Sequence, residues 1–329
     1  MKIAVFSTKP YDKEYFEKYD DHNHEFTYFE TALTNETANL SSGFEGVCVF
    51  VNDKLGSGVI NTLAKNNVKL IALRCAGYNN VDLEQAQKHE IKVVRVPAYS
   101  PEAVAEHTLA LILTLNRKTH KAYNRVREGN FSLTNLIGFN LCGKTVGVIG
   151  TGQIGAAFSR IMKAFGCKVM AFDISESEEL IELGVSYQPL EEIFSKADIL
   201  SLHCPLNPKT RHLINKEALS KMKNGVMIIN TSRGALINTA DAIEGLTNKK
   251  IGYLGIDVYE QEENLFFKDL SESIIQDDYI LKLNSFPNVL ITSHQAYFTK
   301  EAMNEITLTT IDNITAFEEG KELNNEITK

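Results

Sequence analysis

The chain has 329 residues, 43% hydrophobic and 23% charged, an ordinary globular composition with length enough for about two domains. A net charge of −8 argues against a nucleic-acid binder, which carries a basic patch or stripe. No apolar run approaches the ~18 residues of a membrane span, the apolar part of Met1–Ser7 is too short for a signal peptide, and five cysteines without metal-type pairing point to reduced thiols in a cytoplasm.

Strands are predicted over 2–7, 25–30, 47–51, 70–74 and 92–96, with helical patterns between them, as at 58–65 and 83–89. Strands alternating with helices make parallel units, so residues 1–98 read as one small doubly wound domain. Pro97 and Pro101 mark its exit. Residues 102–118 form a helix apolar on most sides, which must be covered by a domain junction or a subunit interface. A homo-oligomer, dimer or tetramer, is expected.

The next stretch organises the rest. Val146–Ile149 is the short apolar run of a buried strand, and it enters Gly150-x-Gly152-x-x-Gly155. An amphipathic segment follows, with Phe158, Ile161, Met162 and Phe165 at helical spacing. Strand, glycine turn and helix in that order make a dinucleotide-binding fingerprint. Gly150 turns the chain, Gly152 lets the backbone approach a pyrophosphate, Gly155 lets helix and strand pack, and the helix N-terminus faces the phosphates. A second strand at 168–172 ends in Asp173, 18 residues after Gly155, close to the spacing of about 20 expected for the acid on the adenosine ribose. The overlapping match Gly138-x-x-x-x-Gly143-Lys144-Thr145 imitates a nucleoside-triphosphate loop. It is rejected because a strand, not a helix, follows it.

Further strands at 199–203, 225–231, 252–258 and 289–293 complete a domain over 99–296, and a helix at 301–318 returns to the first domain, giving 1–98 plus 297–329. Ligands in such sheets lie beyond the carboxyl ends of strands. Three of those ends carry Thr231-Ser232-Arg233, Tyr259-Glu260-Gln261-Glu262 and His294. Singly, an arginine or a glutamate is more often a solvated charge. Together they have a logic: arginine grips a carboxylate in a fork, histidine donates a proton near neutral pH, and a neighbouring acid holds the ring. The other histidines (22, 24, 89, 107, 120, 203, 212) read as surface, core or cap residues, with His203 the foremost exception because it also ends a strand.

At this point the sequence resembles the D-isomer-specific 2-hydroxyacid dehydrogenases, most closely the D-lactate-forming fermentative members from bacteria. The resemblance spans nearly the whole chain. It rests on 74–82 (RCAGYNNVD), 96–107 (VPAYSPEAVAEH), Gly150–Gly155, His203-Cys-Pro-Leu, 230–237 (NTSRGALI), Asp257-Val-Tyr-Glu and Ser293-His-Gln-Ala, in family order. It implies two α/β domains with doubly wound parallel sheets, a Rossmann-type cofactor domain inserted into a flavodoxin-like substrate domain, and a cleft between them. By the same resemblance Arg233 is the substrate-carboxylate arginine, Glu262 rather than Glu260 is the acid paired with the histidine, and His294 is the proton donor. Gln153, Ile154, Cys204, Pro205, Thr210, Thr231, Ser232 and Asp257 match NAD contacts. Ala76 and Gly77 match a backbone cradle for the substrate carboxylate, and Phe50 and Tyr99 match pocket walls. The implied reaction is reduction of pyruvate to D-lactate by hydride from NADH, with His294 protonating the carbonyl oxygen. Two alternatives stand beside it. One is a larger 2-keto acid, against which Phe50 suggests a small pocket. The other is a nucleotide-sensing interaction protein on the same fold, against which the acidic charge argues.

Overall fold

A computed structural model of the chain describes residues 1–21 and 24–328; His22, read above as a surface, core or cap residue, lies outside them. The chain divides into two compact units, residues 1–100 with 298–329, and residues 101–297.

In the first unit β1 (Lys2–Val5), β2 (Glu25–Tyr28), β3 (Gly46–Val49), β4 (Leu70–Leu73) and β5 (Lys92–Arg95) form a parallel sheet ordered β2-β1-β3-β4-β5. Successive strand side chains point to opposite faces, and here both faces are buried. Ala4, Val47, Val49, Ile71 and Val93 pack with Val59, Ile60 and Leu63 of helix Ser57–Lys65 and Ala86 of helix Leu83–Lys88. Ile3, Val5, Cys48, Leu70 and Val94 pack with Phe16 of helix Pro10–Tyr19 and with Ile311 and Ile314 of helix Lys300–Glu318. Two covered faces explain why these strands read as continuous apolar runs. The helix Pro10–Tyr19 was not legible as an amphipathic pattern: only Asp12 and Phe16 are buried on it.

In the second unit β6 (Thr145–Ile149), β7 (Lys168–Phe172), β8 (Ser186–Tyr187), β9 (Ile199–Leu202), β10 (Val226–Asn230), β11 (Ile251–Ile256) and β12 (Val289–Ile291) form a parallel sheet ordered β12-β11-β10-β9-β6-β7-β8. The apolar helix, Pro101–Arg117, has its buried face filled inside this unit. Ala105, Leu111, Ile112 and Leu115 meet Val146, Val148, Met227 and Ile229 of the sheet and Ala157, Phe158 and Met162 of helix Gln153–Ala164. Residues 138–144 run straight into β6, so the phosphate-loop imitation has no helix behind it.

Strand order reverses between β1 and β3 in one sheet and between β6 and β9 in the other. Open α/β sheets hold ligands beyond the strand ends at such points. Among the described residues no helix is long and apolar enough to cross a membrane.

Candidate active site

The glycine turn after β6 sits at the switch point of the second sheet. Gly150 has φ +94°, and a Cβ there would stand 2.6 Å from the Cys204 nitrogen that follows β9; a Cβ on Gly155 would stand 1.9 Å from the Gly150 oxygen. Both glycines are therefore required by the protein's own packing. Gly152 differs, because a Cβ there would meet no atom within 4 Å. Its open surface is the cradle that a pyrophosphate would fill. Gly152 is also the N-cap of helix Gln153–Ala164 and supplies no capping side chain. The first-turn N–H groups, those of Gln153 and Ile154 included, are thus available to an anion. Asp173, beyond β7, turns its carboxylate toward this turn: Oδ2 accepts from the Thr151 amide at 2.5 Å and its hydroxyl at 3.3 Å. Tyr187 donates its hydroxyl to Thr151 Oγ1 at 2.9 Å. The donor set and the space fit a dinucleotide.

The other cofactor candidates line neighbouring strand ends. Cys204 is buried, and burial pushes its thiol up to about 11, so it offers no thiolate. Ser232 Oγ donates to the Cys204 carbonyl at 2.8 Å, joining the loops after β9 and β10. Thr231 shares a hydroxyl hydrogen bond with Thr108 of the apolar helix at 2.9 Å. Pro205 is exposed, and Thr210 spends its side chain within this loop, accepting from the Asn207 amide at 2.8 Å and donating to the Pro205 carbonyl at 2.6 Å. His203 is a half-buried ring, bonded to Ser201 at 2.8 Å and tilted against Phe158; desolvation lowers it to about 3, which removes it as a proton donor near neutral pH.

The catalytic candidates follow β10, β11 and β12. Arg233 Nη1 donates to the Ser232 carbonyl at 2.7 Å, and the arginine's own carbonyl accepts from Asn230 Nδ2 at 2.9 Å, which fixes the loop. His294 Nδ1 lies 2.8 Å from Glu262 Oε1, both side chains about one-fifth exposed, at 18% and 21%. Glu262 Oε2 accepts from the Tyr259 amide at 2.8 Å, so the acid is oriented before it meets the ring. Glu260, two residues away, points elsewhere: it takes His212 Nε2 at 2.6 Å and the Thr239 hydroxyl at 3.0 Å. Of the two acids on this loop, geometry pairs His294 with Glu262.

His294 has φ +55°, a left-handed conformation that costs a side-chain-bearing residue about 1 kcal/mol. Asp257 imposes it. Its carbonyl accepts from the His294 amide at 2.7 Å, while its carboxylate takes the Gln295 amide at 3.0 Å, the Ala296 amide at 2.8 Å and the Thr292 hydroxyl at 2.5 Å. His107 closes the group, 3.1 Å from Thr292 and 3.5 Å from Asp257. Burial raises the Asp257 acid, but the hydrogen bonds from His107, Thr292 and the two amides outweigh it and hold the group below the usual carboxylate range. His107 and Thr292 were missed as supports. His107 lay inside a quoted motif, but nothing in its spacing pointed to a partner 150 residues further along the chain.

In the first unit, the amides of Ala76 and Gly77 follow β4 and meet no acceptor among the described residues, while the Ala76 carbonyl is fixed by Arg95 at 2.8 Å. Tyr99 is half-buried. Phe50 directly follows β3, which stops at Val49, two residues short of its predicted end, because the Asp53 carboxylate takes the Phe50 amide at 2.6 Å.

The chain is similar to known proteins over its whole length. Residues 109–296 match the family model of the D-isomer specific 2-hydroxyacid dehydrogenase, NAD binding domain. The chain is 53% identical to the D-lactate dehydrogenase of Escherichia coli over 99% of this chain and 100% of that protein. The solved apo-structure of D-lactate dehydrogenase from Escherichia coli superposes with a TM-score of 0.92 at 50% identity, each chain fully covered. The pyruvate reductase of Chlamydomonas reinhardtii superposes with a TM-score of 0.93 at 45% identity, over 99% of this chain and 98% of that one. The chain belongs to the D-isomer specific 2-hydroxyacid dehydrogenase family, and the match to its NAD-binding domain lies within the second unit.

Proposed function

We propose that the protein is a D-lactate dehydrogenase, reducing pyruvate to D-lactate with NADH in a reversible reaction. The observation that carries this reading is the His294–Glu262 pair at 2.8 Å beyond β11 and β12 of the NAD-binding sheet. Glu262 holds the proton on Nδ1, which leaves Nε2–H to protonate a carbonyl oxygen in reduction and Nε2 to accept the hydroxyl proton in the reverse direction. Arg233 presents a guanidinium fork suited to a carboxylate. Bound NADH supplies the hydride for C2; the chain supplies orientation and charge. Glycines 150, 152 and 155, Gln153, Ile154, Asp173, Cys204, Pro205, Thr231 and Ser232 are assigned to NAD, and Phe50, Ala76, Gly77 and Tyr99 to the substrate. Thr210 is the weakest of the set, since its hydroxyl is already engaged. Residues 1–98 with 297–329 are assigned to substrate binding and 99–296 to the cofactor.

NADH oxidation, followed with pyruvate and a panel of larger 2-keto acids, tests the reading. Pyruvate should give the highest kcat/KM. A larger acid in first place would retain the family and replace the substrate, and no turnover of any keto acid would favour a sensing role. A homo-oligomer, dimer or tetramer, is supported by Tyr123, Phe131, Leu133 and Ile137, 62–85% exposed in one stretch of the second unit. Sedimentation of the purified chain and of Ile137→Glu tests it. The free state of all five cysteines supports residence in a reducing cytoplasm.

A further inference from the structure

Arg74 follows β4 in the first unit and is 3% exposed, so its charge is withdrawn from water. Its pairing is incomplete. Nε lies 3.3 Å from Asp12 Oδ1, Nη2 donates to the Ser7 carbonyl at 2.9 Å, and Nη1 is buried with no partner. A buried and incompletely paired cation is not a device for stability, since apolar side chains of similar volume do as well or better. What the arrangement does provide is a rigid planar cation against the ring of Phe50, 5.1 Å from its centroid. Aromatic faces attract guanidinium groups strongly where water is excluded. The Phe50 backbone is held as well, its amide by Asp53 at 2.6 Å and its carbonyl by Asn80 Nδ2 at 3.0 Å. Phe50 is thus fixed through both its main chain and its ring.

We infer that Arg74 is a positioning residue for substrate size: stacked on Phe50 and anchored by Asp12 and the Ser7 carbonyl, it holds the Phe50 ring where it limits the group carried on C3 of the keto acid. The inference rests on the proposed place of Phe50 in the substrate pocket. Lysine at position 74 keeps the charge and loses the planar stack and the fork. Asparagine at position 12 keeps the acceptor for the Lys9 amide and weakens the anchor.

The test is the ratio of kcat/KM for 4-methyl-2-oxopentanoate to that for pyruvate, with NADH binding by fluorescence quenching as a control on the NAD-binding domain. Phe50→Leu should raise the ratio. Arg74→Lys should raise it about tenfold, a fraction of what a hydrophobic pocket discriminates by shape, chiefly through KM. Asp12→Asn should move it in the same direction, and Arg74→Lys placed on Phe50→Leu should add nothing. If Phe50→Leu shifts the ratio but Arg74→Lys and Asp12→Asn do not, the inference fails and the pocket assignment stands. No shift in Phe50→Leu removes Phe50 from the pocket and the inference with it. An additive double variant shows that Arg74 acts by another route and also overturns it. Should Arg74→Lys fail to fold, Asp12→Asn decides.

Discussion

Glu260 and Glu262 sit two residues apart on one loop, each bonded to a histidine, and this makes a controlled experiment. Glu262→Gln keeps a hydrogen-bond acceptor 2.8 Å from His294 Nδ1 and removes only the charge. A hydrogen bond to a charged group contributes about 1.5–3 kcal/mol and a neutral one about 0.5–1.5, so the charge accounts for roughly 1–2 kcal/mol at this mostly buried pair. If that interaction is used in the proton-transfer step, kcat/KM for pyruvate falls about 5- to 30-fold, with the loss in kcat. Glu260→Gln disturbs a different set of partners, His212 Nε2 at 2.6 Å and the Thr239 hydroxyl at 3.0 Å. Its cost should appear in stability, about 1–2 kcal/mol or a Tm lower by roughly 2–4 °C, with kcat/KM changed less than about twofold. Steady-state NADH oxidation and a thermal melt on three proteins give both readings. The reverse pattern, activity lost in Glu260→Gln and retained in Glu262→Gln, would refute the assignment of the acid and show that the 2.8 Å pair has no part in turnover.

Arg233→Gln should lower kcat/KM for pyruvate by about 3–5 kcal/mol, as expected when a buried charge partner is lost, while the Kd for NADH hardly moves; near-normal turnover would make Arg233 a loop anchor only. His203 binds no proton in the folded chain until about pH 3, whereas an unfolded histidine does so near 6.5. Stability should therefore fall as pH drops through that window, by about 2 kcal/mol between pH 7 and pH 5 in urea unfolding, and His203→Gln should flatten the dependence. Asp173 is aimed at the glycine turn and is followed by Glu176, Glu178 and Glu179, a stretch with no arginine to receive a 2′-phosphate. The enzyme should prefer NADH over NADPH by about a hundredfold in kcat/KM, a gap that Asp173→Ser narrows; equal use of both would show that Asp173 does not face the ribose.

What could be read from residue order alone follows from the physics of each feature. The strands were legible because a parallel sheet covered on both faces needs unbroken apolar runs, as at 146–149 and 226–229. The glycine turn was legible because glycine recurs at three positions, two of which a Cβ would drive into the protein's own backbone while the third faces open space. Strand ends were read too long, at Phe50, His203 and Ser293; at Phe50 the Asp53 carboxylate captures the amide, whereas the amides of His203 and Thr292 still donate to Ile149 and Ile256 of the neighbouring strands, and nothing in apolarity marks where a strand ends. The two-residue strand Ser186–Tyr187 carries too few residues to show a period.

The supports of the site were hidden for a further reason. Asp257, Thr292 and His107 lie on three elements, and their hydrogen bonds exist only once the sheet has placed β11 beside β12 and the helix Pro101–Arg117 across them. Arg74 shows the same limit more sharply. In sequence it is a cation after an apolar strand, which ordinarily means a solvated side chain. In the fold, the β2-β1-β3-β4 order brings the ends of β1, β3 and β4 together, so that Ser7, Phe50 and Arg74 converge with Asp12 from the helix after β1. A charge becomes a tool for placing an aromatic ring only when three strand ends exclude water from it, and that condition belongs to the topology rather than to any stretch of the chain.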